Sequence, residues 1–262
     1  MTLVVAFRYG RGVVMASDSR SVLGPTAEEV RKLRPVYLIA KGGREVHLAV
    51  AGGSGDGAVV KQSYRDVETA FREFYRQRGR HPRGEEVYDV AEEIQQRLLT
   101  RYQALRSLGY EPEASLIVST VTGDGSPHIF QYSNGVLNDR SEDGYAMAGL
   151  GRDTGGVLLL SLLGYRPDAE WDMGLLTFFL IDAISLANPY VSPLTTEVDN
   201  FYIRWQDGEV VMGPLKPESF REYKERVKKR IQLIRTLWQL AETIGEDKIE
   251  KALTKEEKTA EK

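Results

Sequence analysis

Apolar and β-branched residues run almost unbroken from 3 to 7 and again from 12 to 17, and Tyr9-Gly10-Arg11-Gly12 separates the two runs. Such runs around a glycine-bearing turn predict a hairpin, so the chain opens in a strand. A polar stretch, Ser19 to Lys32, leads to a second predicted hairpin: Val36 to Ala40, the turn Lys41-Gly42-Gly43-Arg44, then Val46 to Ala51. Four strands are therefore expected before the first helix. Beyond the glycine cluster Gly52 to Gly57, read as a turn, the period becomes helical, with Val60, Tyr64, Val67, Phe71, Phe74 and Tyr75 on one face. A second helix is expected from about Glu85 to Leu108, carrying Val87, Val90, Ile94, Leu98 and Tyr102.

Strand character returns at Ala114 to Val121, Pro127 to Tyr132 and Gly144 to Ala148, with turns at Thr122-Gly123-Asp124-Gly125 and Ser133-Asn134-Gly135. Two further helices follow, about Asp153 to Leu163 and Asp172 to Ala187. The second is apolar on several faces, the mark of a helix buried between layers. Asn200 to Trp205 and Glu209 to Met212 close the pattern as a hairpin around Gln206-Asp207-Gly208. Strands, two helices, strands, two helices, strands: this order predicts an α+β fold with two packed sheets and a helix pair on each outer side. From Pro214 a long helix is expected, about Glu218 to Ile244, followed by a charged run. The predicted division is a domain at 1–213, a helical extension at 214–246 and a disordered tail at 247–262.

Composition narrows the function. The 262 residues carry 35 basic and 38 acidic side chains, a formal net charge of -3 with both signs interspersed. That balance favours neither nucleic acid nor an anionic membrane as partner. The start does not read as a signal peptide, and no stretch approaches the ~20 apolar residues of a membrane span, so the cytoplasm is the expected compartment. With no cysteine, disulfides, thiolate metal sites and a cysteine nucleophile are excluded. His47, His81 and His128 lack metal-ligand spacing, and no metal or cofactor is expected. Gly52 to Gly57 lacks the lysine and hydroxyl residue of a phosphate loop. The cluster Arg72, Arg76, Arg78, Arg80 and Arg83 reads as a solvated helix end, with an assembly contact as the alternative.

Thr2 stands directly after Met1, and initiator methionine is commonly removed before a residue this small. A terminal threonine can use its own α-amine, with a reference pKa of ~7.7 to 8.0, as general base for its hydroxyl. Read with the strand Gly12-Val13-Val14-Met15-Ala16-Ser17-Asp18-Ser19-Arg20, then Arg31-Lys32-Leu33, then Ala51-Gly52-Gly53-Ser54-Gly55-Asp56, the opening resembles a proteasome β-type subunit. It is most similar to the bacterial proteasome-like group called Anbu. The resemblance covers about residues 2 to 212 and implies a four-layer αββα sandwich of the N-terminal-nucleophile (Ntn) hydrolase class, here with an extra C-terminal helix.

It further implies a threonine-type peptidase or amide hydrolase in which Thr2 is the nucleophile. A lysine ammonium near the threonine eases alkoxide formation and opposes protonation of the amine; Lys32 matches that position. Asp18 matches the aspartate that compensates the lysine, and Gly52 the residue whose N–H faces the oxyanion. Val22, Val50 and Ser54 match positions lining the first specificity pocket. Two motifs depart from the family: Gly149-Leu150-Gly151 lacks a serine, and Asn188-Pro189-Tyr190-Val191-Ser192 has asparagine for aspartate, leaving Asn188 and Ser192 as amine-positioning candidates. Implied partners are a peptide or protein substrate, further copies in a homo-oligomeric ring or spiral, and an unfolding ATPase. A noncatalytic structural subunit and an Ntn acyl transferase or ligase remain alternatives.

Overall fold

In the computed structural model, which describes residues 2–23, 26–29, 31–40, 42–149, 152–194 and 198–244, with side chains left out at 20–23, 26–29, 153 and 154, the opening runs pair as β1 (Val4–Tyr9) and β2 (Gly12–Ser17). The second hairpin forms as β5 (Leu33–Ile39) and β6 (Glu45–Gly55). Two expectations need correction. Six strands precede the first helix, because Arg20–Leu23 (β3) and Thr26–Glu29 (β4) pair within the polar stretch. They pair with each other, outside the larger sheets, and lie in a stretch whose polar composition did not mark them as strands. The glycine cluster is also mostly strand: β6 runs through Gly52 to Gly55, and the turn comes only at Asp56.

That turn starts α1 (Gly57–Arg78), whose first amides at Ala58 and Val59 are capped by Asp56 Oδ1 at 2.9 and 3.2 Å. Gly79, at φ 67°, ends it in the left-handed conformation glycine allows. After α2 (Glu86–Ser107) come β7 (Ala114–Val121), β8 (Pro127–Ser133), β9 (Val136–Asp139) and β10 (Tyr145–Ala148). Helices α3 (Val157–Leu162) and α4 (Met173–Ala187), strands β11 (Asp199–Gln206) and β12 (Glu209–Gly213), and α5 (Pro217–Ile244) complete the order. The sequence pattern had not marked β9, a four-residue strand with three exposed positions and one half-buried.

One antiparallel sheet has the order β10-β1-β2-β11-β12, the other β5-β6-β7-β8-β9. Val4, Ala6, Val13 and Met15 of the first face Val50, Ile117 and Ile129 of the second in the central layer. On the far side of the second sheet, Val67, Phe71, Val90, Ile94 and Leu98 bring in α1 and α2. On the far side of the first, Phe178, Leu180, Ile181 and Val227 bring in α4 and α5. The expected four layers and the extra C-terminal helix are therefore present. Among the described residues no helix is long and apolar enough to cross a membrane. Arg72 and Arg80, from the basic cluster, are engaged locally, Arg72 with Tyr37 O and Glu68, Arg80 with Glu86. The tail beyond 244 lies outside the described residues.

Candidate active site

Thr2 is buried at the foot of β1, and its neighbour ties it to the end of β2. Leu3 N donates to Asp18 Oδ1 at 2.8 Å, and Asp18 N donates to Leu3 O at 3.1 Å. Asp18 follows directly on β2, whose last residue, Ser17, lies opposite Val4. The length of the first hairpin thus delivers this carboxylate to the peptide joining Thr2 and Leu3.

Lys32 reaches the same oxygen, its Nζ donating to Asp18 Oδ1 at 2.8 Å. The two side chains are 6% and 0% exposed. Two charges so far from water persist only when paired and further hydrogen-bonded. Asp18 has that support, because Oδ2 accepts from Ser192 N at 3.3 Å. Ser192 Oγ in turn accepts from Ser19 N at 3.0 Å and lies 3.3 Å from Ser19 Oγ. Four residues expected from the sequence, Thr2, Asp18, Lys32 and Ser192, therefore gather at one place.

Asn188 serves the loop that carries Ser192. It ends α4, accepts from Tyr190 N on Oδ1 at 3.0 Å, and its carbonyl accepts from Val191 N at 3.1 Å. Gly52 lies inside the ladder, opposite Leu33 on one side and Ile117 on the other. A Cβ there would approach Leu33 Cδ2 to 2.6 Å and both Val4 Cγ1 and Met15 Cε to 2.8 Å. Glycine is what lets the sheets close at this point. Val50 and Ser54 lie on the same face of β6 as Gly52 by the two-residue period; Val50 is in the inter-sheet core and Ser54 is buried. The side chain of Val22, together with Leu150 and Gly151, lies outside the described residues.

Three residues at the site had no assigned role in the sequence reading. Gly149, just past β10 at φ +93°, backs onto Thr2: a Cβ there would run into Thr2 O and lie 3.2 Å from Ser54 Cβ. Asp199, opposite Ser17 at the start of β11, accepts on Oδ2 from Lys32 N at 3.0 Å and Leu33 N at 2.8 Å. Burial pushes its carboxyl upward, opposed by those two amides and by the nearby Arg31 and Lys32 charges. Tyr64 of α1 donates its hydroxyl to Lys32 O at 2.6 Å. Burial pushes this phenol well above the ordinary tyrosine range, which keeps it a donor.

Among the described residues no group of three or more His, Asp or Glu side chains is placed to hold a metal ion. A groove of 850 Å³ between α1 and α2, lined in part by Val59, Leu105, Leu108 and Tyr110, opens on the outer face and contains none of the residues gathered around Thr2. What the site offers chemically is a threonine, a buried ammonium–carboxylate pair and a frame of backbone amides.

No family model matches the chain, and no curated protein matches it. Solved structures do. Anbu (ancestral beta-subunit) from Yersinia bercovieri aligns with a TM-score of 0.63 and 16% identity, covering 89% of this chain and 96% of that one. Anbu from Hyphomicrobium sp. strain MC1 gives 0.60 and 16%, covering 89% and 97%. Eukaryotic HslV from Trypanosoma brucei gives 0.56 and 19%, covering 78% and 99%. With its two five-stranded antiparallel sheets enclosed by helices, the chain has the proteasome-like fold of Anbu and HslV.

Proposed function

We propose that this protein is a threonine-type peptidase or amide hydrolase, with Thr2 as nucleophile once Met1 is removed. The observation that carries the reading is the buried Lys32–Asp18 pair sharing Asp18 Oδ1 with Leu3 N. It supports the reading because the ammonium shares its carboxylate oxygen with the peptide N–H that follows Thr2. In the reaction, Thr2 Oγ1 attacks the scissile carbonyl while its proton passes to the α-amine, directly or through water. The Lys32 ammonium favours the alkoxide; the Gly52 N–H, which the resemblance matches to the oxyanion donor, lies in the ladder between Leu33 and Ile117 and is given no part in this step. Collapse of the tetrahedral intermediate breaks the C–N bond, the departing amine takes the proton, and water then cleaves the Thr2 ester. Val22 and Ser54 are assigned to the first substrate pocket, with a modest apolar side chain as its occupant, whereas Val50 is fully buried between the sheets and does not line it. Asn188 and Ser192 are assigned to the frame around the terminal amine.

We read the protein as cytoplasmic and as one subunit of a homo-oligomeric ring or spiral. Supporting assembly, α5 packs on α4, with Phe220 and Tyr223 against Phe178 and with Val227 and Ile231 in the same core cluster, and then continues for about 20 Å at 1.5 Å per residue. Along that length Ile234, Leu237, Trp238 and Ile244 are exposed. We count residues 1–213 as the hydrolase domain and 214–246 as this extension. Protein substrates would need unfolding before reaching an enclosed site, which is the role open to an ATPase partner.

The test is intact mass spectrometry with and without an epoxyketone or β-lactone, alongside Thr2→Ala. Loss of Met1 and a single adduct that disappears in Thr2→Ala is the expected result. A free Thr2 that takes no label would favour the noncatalytic subunit, the reading to which the asparagine at 188 also points. If added amines trap the acyl group faster than water does, the enzyme is a transferase.

A further inference from the structure

Besides its ammonium, Lys32 is held at its backbone N–H and its carbonyl, by groups that come from different layers of the fold. The residue lies just before β5, at the end of an excursion through β3 and β4 that pairs with neither large sheet. The first ladder pair after it is Leu33 opposite Gly52, so regular pairing does not fix the lysine backbone. Asp199 Oδ2 accepts from both Lys32 N and Leu33 N, and Tyr64 OH donates to Lys32 O at 2.6 Å. Asp199 belongs to β11 in the first sheet, whereas Tyr64 belongs to α1, outside the second.

We propose that Tyr64 and Asp199 are positioning residues for the Thr2 reaction, clamping the Lys32 backbone so that its ammonium meets Asp18. The register makes this specific. Asp199 lies opposite Ser17, and Asp18 is the next residue. Two carboxylates on adjoining strands therefore divide the lysine between them, one taking its backbone amide and the other its Nζ. A lysine side chain has four rotatable carbon–carbon bonds, so fixing its backbone narrows the positions its ammonium can take. Both clamp groups are suited to the work. Tyr64 remains protonated at any working pH, and the Asp199 carboxylate meets two amides that would otherwise be buried without an acceptor.

The inference rests on the proposed hydrolase for its chemical consequence, but the clamp has a readout independent of activity. Tyr64→Phe deletes one hydroxyl and keeps the ring; Asp199→Ala deletes the acceptor; Asp199→Asn keeps one acceptor oxygen. Crystal structures of the wild type and the three variants give the Lys32 Nζ to Asp18 Oδ1 distance, and the rate of Thr2 labelling by an epoxyketone is followed against pH. Expected are separation of Nζ from Asp18 in Tyr64→Phe and Asp199→Ala, with labelling slowed ten- to about a hundredfold, the scale of ångström misplacement. The acidic limb of the pH–rate profile should move to higher pH, because the terminal amine then titrates without a neighbouring cation. Asp199→Asn should retain most of the wild-type rate. If Nζ stays on Asp18 and labelling and its pH limb are unchanged in both deletions, the clamp is refuted and the hydrolase reading stands. If the wild type takes no label, it is the hydrolase reading that fails, and the Lys32 position in the variants alone decides the clamp.

Discussion

The Lys32 ammonium and the Asp18 carboxylate meet at 2.8 Å with almost no solvent contact. The same oxygen accepts Leu3 N, and the second oxygen accepts Ser192 N. This one carboxylate therefore joins the start of the chain, the β3–β4 excursion and the loop after α4. Its removal would expose a structural debt as well as a chemical one, and the two can be separated.

Asp18→Ala leaves a buried ammonium and two buried amides without their acceptor, and should cost about 3–5 kcal/mol in chemical denaturation at fixed protein concentration. The double variant Asp18→Asn with Lys32→Met removes both charges and keeps an acceptor for Leu3 N. It should recover most of that stability while remaining unlabelled by a threonine-directed electrophile. Recovery of labelling along with stability would show that the pair serves only the fold.

Gly149→Ala tests the contact between β10 and Thr2. The position has φ +93°, and a Cβ would collide with Thr2 O. Left-handed strain alone is worth about 1–3 kcal/mol for a non-glycine residue, and the collision must move Thr2 as well. A lowered Tm together with slower Thr2 labelling is expected; unchanged labelling would mean that the loop yields and Thr2 does not.

Thr2, Asp18 and Lys32 were legible together through the resemblance of the opening residues to proteasome β-type subunits. In the structure a hairpin of fixed length sets Asp18 beside residue 3, and Lys32 directly precedes β5. The helical layers were legible because α1 and α2 announce their buried faces by spacing and α4 its burial by being apolar on several faces. Asp199 was not legible, because its contact with Lys32 spans 167 residues and depends on β11 pairing with β2 in one register. Tyr64 was visible only as a member of the apolar face of α1. Nothing in a helical period distinguishes a tyrosine that fills the core from one whose hydroxyl reaches across to the residue before β5. The β3–β4 hairpin escaped because it lies in a polar stretch and its strands pair with each other and with neither large sheet.

The outer half of α5 gives a prediction about assembly. Trp238 is 73% exposed and Ile234 46%, and they stand four residues apart, on one helix face. If a second copy covers this face, Ile234→Glu with Trp238→Glu should lower the sedimentation mass while leaving the circular dichroism of the subunit unchanged. An unaltered mass would remove α5 from the assembly interface.

His81 supplies a prediction about acid stability. It follows α1 in the loop to α2, packs edge-on to Tyr75 at 5.7 Å, and has a buried Nδ1 with no hydrogen-bond partner. Burial, aided by His47 and Arg44, pushes its pKa down to about 4 from the ordinary 6.5. Between those values the unfolded chain holds a proton on this ring that the folded chain does not. Folding stability from this group is therefore complete above pH 6.5 and is lost progressively as pH falls toward 4, by up to about 3 kcal/mol. His81→Gln removes the titration, so denaturation at pH 7 and pH 4.5 should show a smaller acid loss in the variant than in the wild type. Equal losses would mean that the ring is hydrated in solution and titrates as an ordinary histidine.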